Sequence, residues 1–547
     1  MGSKRSLGIS MALVALFAGP GCYKLSSDCA LNNSCETGGS GGDTTTSTTE
    51  PTGGTGGDTT TSEPTGATGG TGGTTDSGGT GGTTTPPVSC DPSVNAGPVA
   101  GDCGVFVSPA GDDANDGSMQ SPLKTLTEAI ARAALANRRV YACAGLWNEV
   151  VAVPPGITMY GGLQCDSGWA FSKDARSTLQ NIDKPNEAPL HVSAGSDAVH
   201  IANFTVQASD ATLTSGSSIA MIADNAVVEL ERCEVIAGNG QIGNGGASSV
   251  WDQSLVSALN GQDGVNACSP LPSGGAPVLS ACGDFTSGQG GDGGNKSGAN
   301  NGNGLDGGKG DGGDGGMGGN GQYAQTVCSS GGAGVLGGDG GAGDGGGKTG
   351  PLGAIDATGY HGAAGQPGVD GSRGTSGGGG GGSKAVVGGC NGAAGGSGGA
   401  GGCGGKAGSG GTAGGASIAI LSLSSKLQFT EVHLVVGSGG KGGDGGNGQP
   451  GQFGGYGGHG GKGSSYNGST LLKGCDGGDG GSGGKGGPGG GGAGGPTIGI
   501  AFTGAAPEGT PSIEIKGQPG QGGLGGILDV QKGGDGAPGV AAETYGF

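Results

Sequence analysis

The sequence predicts an all-β protein in which successive turns of the chain stack as a solenoid and carry long glycine-rich insertions. Three observations lead to this prediction: an apolar pattern that recurs at an offset of 29 residues, a second copy of that pattern 199 residues later, and glycine tracts that begin and end at the borders of the copies. With 148 glycines in 547 residues, the apolar residues suffice for one core, and many of them lie between residues 100 and 240.

The charge balance excludes one class of partner. The formal net charge is -20 at pH 7, whereas nucleic-acid binding needs clustered lysine and arginine to neutralise phosphates. A metal cluster is disfavoured as well, because the sequence has no C-x-x-C motif and its five histidines are scattered.

The N-terminus has the pattern of an export signal. Lys4 and Arg5 precede the apolar run "LGISMALVALFAG", and the small-residue site "GPGC" ends at Cys22. This pattern resembles the signal peptide of bacterial lipoproteins, which implies a lipid on Cys22, a membrane partner, and a location at the outer membrane or cell surface of a Gram-negative bacterium. Gly19 stands where that family usually has a leucine-like residue, so simple secretion is the alternative.

The fourteen cysteines of an exported chain predict disulfides. Cys22 is assigned to the lipid and Cys233 to a buried strand position, which leaves twelve cysteines as disulfide candidates. Short spacing favours five pairs and leaves a sixth: Cys29 with Cys35, Cys90 with Cys103, Cys143 with Cys165, Cys268 with Cys282, Cys390 with Cys403, and Cys328 with Cys475.

Composition divides the chain into alternating segments. Residues 23–102 are rich in threonine, glycine and serine and predict a disordered stalk, because nothing in them offsets the entropy of ordering. The predicted segments after the signal peptide and this stalk are the cap and first coils (103–237), a glycine-rich insertion (238–416), one coil (417–436), a second insertion (437–496), a last partial coil (497–516) and a glycine-rich tail (517–547).

The first folded segment has a specific order of elements. A short strand at Val105–Val107 precedes the turn-rich loop "AGDDANDGS", and Leu126, Ile130, Ala133 and Ala134 then recur at helical spacing after the start signal Ser121-Pro122. Three strands follow, "RVYAC", "EVVAV" and "ITMYGG". This order over Cys103–Cys165 resembles the N-terminal cap of right-handed parallel β-helix proteins of the pectin-lyase-like superfamily. The resemblance implies a short right-handed parallel β-helix with an N-terminal capping helix.

A repeat supports the same architecture without any resemblance. The segment Leu190–Val206 aligns with Ile219–Val235 at an offset of 29, and Ser218–Gly238 aligns without a gap with Ser417–Gly437. The apolar positions are kept and the polar ones drift, so we expect Ile219 and Ile418 to be neighbours in one solenoid core. Partial copies appear as "TIGIAF" and "SIEIKG".

The glycine tracts have an internal period of three, as in "GGKGDGGDGGMGGNGQ". Collagen is excluded because the intervening positions lack proline, and calcium-binding nonapeptide repeats are excluded because the acids fall at other offsets. Two interpretations remain: disordered loops, or extended polyglycine-II-like helices that leave one corner of successive coils and exchange backbone hydrogen bonds. The composition resembles the PGRS domains of mycobacterial surface proteins.

The outward strand positions were searched for catalytic groups, since the pectin-lyase-like resemblance implies polysaccharide-cutting enzymes as one possibility. The predicted columns are His200–Glu229–Gln428, Ala202–Glu231–Thr430 and Thr205–Glu234–His433, and in none do two acids stack beside a base. Arg232 is the only basic residue on its strand, and a solvated charge is the simpler interpretation.

Two further groups have both a functional and a structural interpretation. Asp112, Asp113 and Asp116 form a candidate calcium site, but turn formation explains them equally well. Trp147 and Trp169 are candidates for sugar stacking or for the core. The sequence therefore predicts a cell-surface structural or adhesion protein without catalytic activity or cofactor, with surface glycans or other surface proteins as partners. A polysaccharide lyase or hydrolase and a non-catalytic glycan-binding module are the alternatives.

Overall fold

The computed structural model describes residues 90–94, 98–248, 258–283, 285–311, 315–348 and 351–547. The predicted signal peptide, Cys22, Cys29, Cys35 and nearly all of the predicted stalk lie outside these residues. Three parallel sheets form the frame of the described part, which confirms the prediction of a mainly-β fold with parallel strands.

The chain visits the three sheets in turn. In spatial order, the first sheet contains β1 (Gly104–Val107), β2 (Arg139–Cys143), β5 (Thr158–Gln164), β9 (Val199–Ala202), β12 (Val227–Glu231) and β17 (Lys426–Thr430), with β6 (Ala170–Phe171) antiparallel to β5. The second contains β3 (Leu146–Asn148), β7 (Ser177–Gln180), β10 (Phe204–Gln207), β13 (Glu234–Ile236), β18 (His433–Val436) and β22 (Ser512–Ile515). The third contains β4 (Val151–Val153), β8 (Leu190–Val192), β11 (Ser218–Asp224), β16 (Ser417–Leu423), β21 (Thr497–Thr503) and β25 (Ala541–Gly546).

The predicted cap helix is present as α1, Leu126–Ala136. Its N-cap is Thr125, whose hydroxyl accepts the N–H of Glu128, and its C-cap Asn137 has the left-handed φ of 49°. The helix buries Leu126, Ile130 and two alanines against the first windings. Single turns of 3-10 helix occur at Cys165–Ser167 and Ala299–Gly302.

The 199-residue offset is confirmed as a strand register. Ile219 of β11 pairs with Ile418 of β16, and Leu230 of β12 pairs with Phe429 of β17. One part of the 29-residue alignment is wrong, because Leu190 pairs with Met221 and not with Ile219. The corner that joins a third-sheet strand to the next first-sheet strand is two residues shorter between β11 and β12 than between β8 and β9. A shift of two keeps the same side chains inward, so the apolar pattern alone did not reveal it.

The predicted glycine-rich tail contains a strand that the sequence analysis missed. β25 pairs in parallel with β21, with Ile498 opposite Ala542. Alanine, glutamate and threonine dominate this segment, so it lacks the alternating branched residues that mark a strand. The glycine-rich insertions therefore return to the third sheet three times, at β16, β21 and β25, each after leaving the second sheet at β13, β18 or β22.

The glycine-rich insertions contain extended segments, called legs here, that are joined by backbone hydrogen bonds. The leg 391–416 is central. The N–H groups of Gly395, Gly396 and Ser397 donate to three different legs. The N–H groups of residues 398–400 donate to the same three legs in the same order. Their acceptors are Gly291, Cys475 and Gln262, then Gly288, Gly478 and Leu259; carbonyls of the same stretch accept from Gly275, Gly380 and Gly458.

The backbones of neighbouring legs lie very close together, which explains why glycine is so frequent in these segments. A Cβ added at Gly395 would lie 1.9 Å from the carbonyl oxygen of Gly380, and one at Gly399 would lie 2.0 Å from that of Gly455. Real side chains do not tolerate such distances, so glycine is required at the positions whose Cβ would point into the backbone of a neighbouring leg. The predicted disordered-loop alternative is not what the described residues show.

Three hairpins lie at turning points of the legs: β14–β15 (Gly353–Asp356 with Gly359–Gly362), β19–β20 (Ser464–Tyr466 with Ser469–Leu471) and β23–β24 (Ile527–Leu528 with Gln531–Lys532). The second turns at Asn467-Gly468, both at positive φ, which is the strongest short-range hairpin signal a sequence offers. The first packs on the outer face of the third sheet, where Ile355 and Tyr360 join a second apolar cluster with Ile418 and Ile498.

Acidic side chains of the legs satisfy N–H groups at the edges of the bundle. Asp263 Oδ1 accepts the N–H of His459 at 2.7 Å, and Asp339 Oδ1 accepts that of Lys485 at 2.8 Å. Buried serines do the same inside, as where Ser397 Oγ accepts the N–H of Gln262 at 2.8 Å. Acidic and serine side chains thus complete the backbone hydrogen bonding of the legs.

These contacts predict that the bundle loses stability in acid. Hydrogen bonds from lysine ammonium groups, and then from backbone N–H groups, hold the pKa of Asp370, Asp444 and Asp535 below the ordinary value of 3.8. Their contribution is complete above that value and is lost as the pH falls through the lower pKa of the folded state. We expect a lower thermal midpoint at pH 3 than at pH 7, and a modest difference because the carboxylates are exposed.

The matched control for this prediction is the triple variant D370N/D444N/D535N. It should be less stable than the parent at pH 7 and should lose less on acidification. An equal loss in both proteins, measured by calorimetry, would contradict the assignment to these carboxylates.

Candidate functional site

The outward columns predicted from the repeat are present. Glu229 lies between His200 and Gln428, Glu231 between Ala202 and Thr430, and Glu234 between Thr205 and His433. This confirms the strand register from which the three columns were predicted.

The columns bring together charges that the sequence analysis treated singly. Glu231 lies 3.1 Å from His200 Nε2 and forms an ion pair with Arg232 through its other oxygen. Glu234 lies 3.0 Å from Nη1 of Arg176, which directly precedes β7 and was not part of any predicted column. Glu231 and Glu234 are therefore each paired with a basic side chain from outside their own column.

Arg232 occupies a corner rather than a strand, so the prediction of a solvated charge on that strand is wrong. Its φ of 49° is left-handed, and Asn203 and Glu431 occupy the equivalent corners with φ of 60° and 51°. Arg232 Nε donates to Asn203 Oδ1 at 2.7 Å, and its guanidinium lies 5.5 Å from the centre of the Phe171 ring. The side chain is mostly buried, and its Nη2 has no hydrogen-bond partner.

This charged cluster is built for structure more than for catalysis. Both carboxylates are held by basic side chains, so neither is a free base of the kind that a glycoside-cleaving pair requires. Its contacts link His200 and Glu231 on neighbouring strands of the first sheet, Asn203 and Arg232 at equivalent corners, and Arg176 and Glu234 at the second sheet.

The aspartates proposed as a calcium site hold the cap loop together. Asp113 accepts the N–H groups of Lys124 and Thr125, each at 2.9 Å, and the Thr125 hydroxyl at 3.0 Å. Desolvation acts to raise the pKa of Asp113, but these hydrogen bonds outweigh it and the pKa lies below 3.8. Asp112 and Asp116 each accept an N–H two residues ahead. Among the described residues no group of three or more acidic, histidine or cysteine side chains is arranged around a common point, and calcium stays a prediction.

Trp147 and Trp169 belong to the core. They are 3% and 4% exposed, and their indole N–H groups donate to the carbonyls of Lys124 and Met119 at 3.1 Å. Neither ring presents a face to solvent, so the core interpretation of these two residues is confirmed and the sugar-stacking alternative is wrong.

Five disulfides join ten of the predicted cysteines. Cys90–Cys103 and Cys143–Cys165 pair as spacing predicted, and Cys328 pairs with Cys475 as the predicted remaining pair. The predictions Cys268–Cys282 and Cys390–Cys403 are wrong; the bridges are Cys268–Cys390 and Cys282–Cys403. The legs bring residues more than a hundred positions apart into contact, so spatial order and not sequence spacing selects the partners. Cys233 is the unpaired cysteine among those described, and burial raises its pKa to about 11.

A cavity of about 320 Å³ lies between the third sheet and the turn of hairpin β14–β15. Its apolar lining includes Ile219 and Ile222, and its polar lining includes His191, Ser217 and Thr358. The volume suits a small neutral molecule. The sequence analysis missed it because residues 357–360 and His191 are far apart in the chain and no motif links them.

Beside this cavity, Asp356, Thr358 and His361 form a hydrogen-bonded group. Thr358 Oγ1 donates to Asp356 Oδ1 at 2.6 Å, and His361 Nε2 lies 3.1 Å from the same oxygen. The hydrogen bond from Thr358, followed by that from His361, lowers the pKa of Asp356 to about 2. Thr358 Oγ1 also lies 3.0 Å from His361 Nε2, so its hydroxyl is shared between the carboxylate and the imidazole. The Asp356 and His361 side chains are more than half exposed, so this group lacks the water-excluded setting of an activated nucleophile.

His191 gives a second pH prediction. Burial lowers its pKa below the ordinary 6.5, so the folded protein binds this proton more weakly than the unfolded chain does. Stability is then complete above pH 6.5 and falls as the pH drops below it. In an NMR titration, we expect the imidazole signal that disappears in His191→Gln to have a midpoint below 6.5; a midpoint at or above that value would contradict the burial of this ring.

Comparisons with protein-family models, with curated proteins and with solved structures give no match. Within the described residues, no helix is both long and apolar enough to cross a bilayer.

Proposed function

We propose that this chain is a cell-surface structural or adhesion-type lipoprotein without catalytic activity. In this proposal a short right-handed parallel β-helix of the pectin-lyase-like kind carries a polyglycine-II-like bundle outward from a lipid on Cys22. The observation that carries it is the central leg 391–416, whose backbone is hydrogen-bonded on all sides by other legs. Such a bundle has a rigid shape and many exposed edges, which suits contact with other surfaces.

Two further observations support the proposal. From β2 to β18 the chain visits the three sheets in a fixed order, as the windings of a β-helix require. Five disulfides favour an oxidising compartment outside the cytoplasm. The neutralised pairs at Glu231 and Glu234 favour a non-catalytic role over polysaccharide cleavage.

Antibody labelling of intact cells tests the location. An antibody raised against residues 438–495 should label intact cells expressing the full chain, and Cys22→Ala should release the protein from the membrane fraction. Labelling that requires permeabilised cells would contradict a surface location, and membrane retention of the Cys22 variant would contradict the lipid anchor.

A further inference from the structure

One leg of the bundle exposes a row of rings. Phe453, Tyr456, His459 and Lys462 follow one another at three-residue intervals in the leg 438–463, and we call these four residues the aromatic edge. Phe453 and Tyr456 are each 73% exposed, and the His459 side chain is 83% exposed. What distinguishes these residues from singly exposed apolar side chains is that they follow one another in a row, and a contiguous exposed patch is what marks a binding surface.

The aromatic edge is held on both sides. Along one side, the N–H groups of Tyr456, His459 and Lys462 donate to side chains of the neighbouring leg, at 2.7 to 2.9 Å. Those acceptors are Asn260, Asp263 and Asn266. A three-residue-per-turn extended helix rises about 3.1 Å per residue, so successive rings stand about 9 Å apart on a rigid support.

The other side is fixed in the same way. The N–H groups of Gly457 and Gly460 donate to Asp479 Oδ1 and Asp476 Oδ1, each at 2.8 Å. The aromatic edge is therefore a row of rings between two rows of carboxylate and amide groups.

The flanking acids keep hydrogen-bonding capacity. The contacts of Asp263 and Asp479 use Oδ1, which leaves Oδ2 of each exposed carboxylate to accept from a ligand. Rings that stack on C–H faces, flanked by acceptors for hydroxyl groups, are what a sugar chain needs. Acids on both sides disfavour an anionic polymer.

We propose that the aromatic edge binds a linear, neutral polysaccharide. The roughly 9 Å interval is comparable to the repeat of two linked hexoses, so rings can stack on alternate sugars. A peptide strand is disfavoured because the backbone N–H groups here are already bound by Asn260 and Asp263. A helix is disfavoured because polar groups interrupt the apolar row. This binding would supply the partner for the proposed adhesion role, on which it rests.

Affinity electrophoresis of the purified full chain tests the proposal. The probes are the neutral polymers hydroxyethyl cellulose, galactomannan and laminarin, with polygalacturonate as the anionic polymer. At least one neutral probe should retard the parent protein, and F453A/Y456A should raise its dissociation constant about tenfold or more, since two stacked rings are lost.

The control variant is L336A/V369A, which removes exposed apolar side chains (73% and 61% exposed) elsewhere on the bundle and should bind as the parent does. Thermal midpoints of all three proteins should agree. The proposal is overturned if no neutral probe binds, if only polygalacturonate binds, or if F453A/Y456A binds unchanged. It is also overturned if sedimentation shows a dimer of the parent that F453A/Y456A abolishes, because the edge would then serve self-association. Surface labelling of cells is unaffected by any of these results and tests the location separately.

Discussion

Replacing Gly399 by alanine is expected to destabilise the glycine-rich bundle by about 1–3 kcal/mol, even though the change adds a single methyl group. The new Cβ would lie 2.0 Å from the carbonyl oxygen of Gly455, and that oxygen belongs to a backbone that has no rotamer to change. The two legs must separate, which also weakens the hydrogen bond from Gly455 N to Ala400 O, now 2.9 Å.

The matched control is Gly341→Ala, since a Cβ at Gly341 meets nothing within 4 Å. This substitution should stabilise the folded protein by about 0.4–1 kcal/mol, because alanine lowers the conformational entropy of the unfolded chain. The two substitutions should thus differ in sign. Hydrogen exchange of residues 391–416 and calorimetry measure the difference; equal effects at both positions would refute the tight packing of these legs.

Removing the bridge Cys328–Cys475 by a double serine substitution is expected to cost about 5 kcal/mol, the largest effect of any of the bridges. The loop it closes spans 147 residues, against 13 for Cys90–Cys103. In the chain-entropy account, a bridge that closes a longer loop removes more conformational entropy from the unfolded state. The short bridge should therefore contribute only about 3 kcal/mol to the free energy of unfolding.

Chemical denaturation of the two double variants provides the comparison, with amide exchange to locate the change. The Cys328 and Cys475 variant should lose protection in residues 315–348 and 473–495, whereas the paired strands β11 and β16 keep theirs. A smaller loss than in the Cys90 and Cys103 variant would show that chain entropy does not govern these bridges.

Features that depend on side-chain patterns were predictable from the sequence. The apolar alternation in Ser218–Gly238 and Ser417–Gly437 identified the same strands that pair as β11 with β16, across 199 residues. The cap helix and the point where glycine tracts leave the coils followed from equally local signals. A buried side-chain face leaves a trace in the residues that form it, whatever occupies the space between two copies.

The candidate sites required contacts that no local pattern records. Glu234 meets Arg176 across two strands, and Trp147 turned inward although its flanking residues gave no sign of which face is buried. The cavity beside His191 exists because a hairpin 160 residues later folds over the third sheet.

The amino-acid sequence by itself determined the main parallel strands, their register to within two residues, the three departure points of the legs and the three-residue glycine period within them. Only the tertiary structure decided which leg lies beside which, and hence the partners of Cys268, Cys282, Cys390 and Cys403 and the exposure of Phe453 and Tyr456. The physical reason is that legs recognise one another through backbone N–H and C=O groups, which are identical at every residue. A contact made by identical groups carries no information in the sequence about its partner.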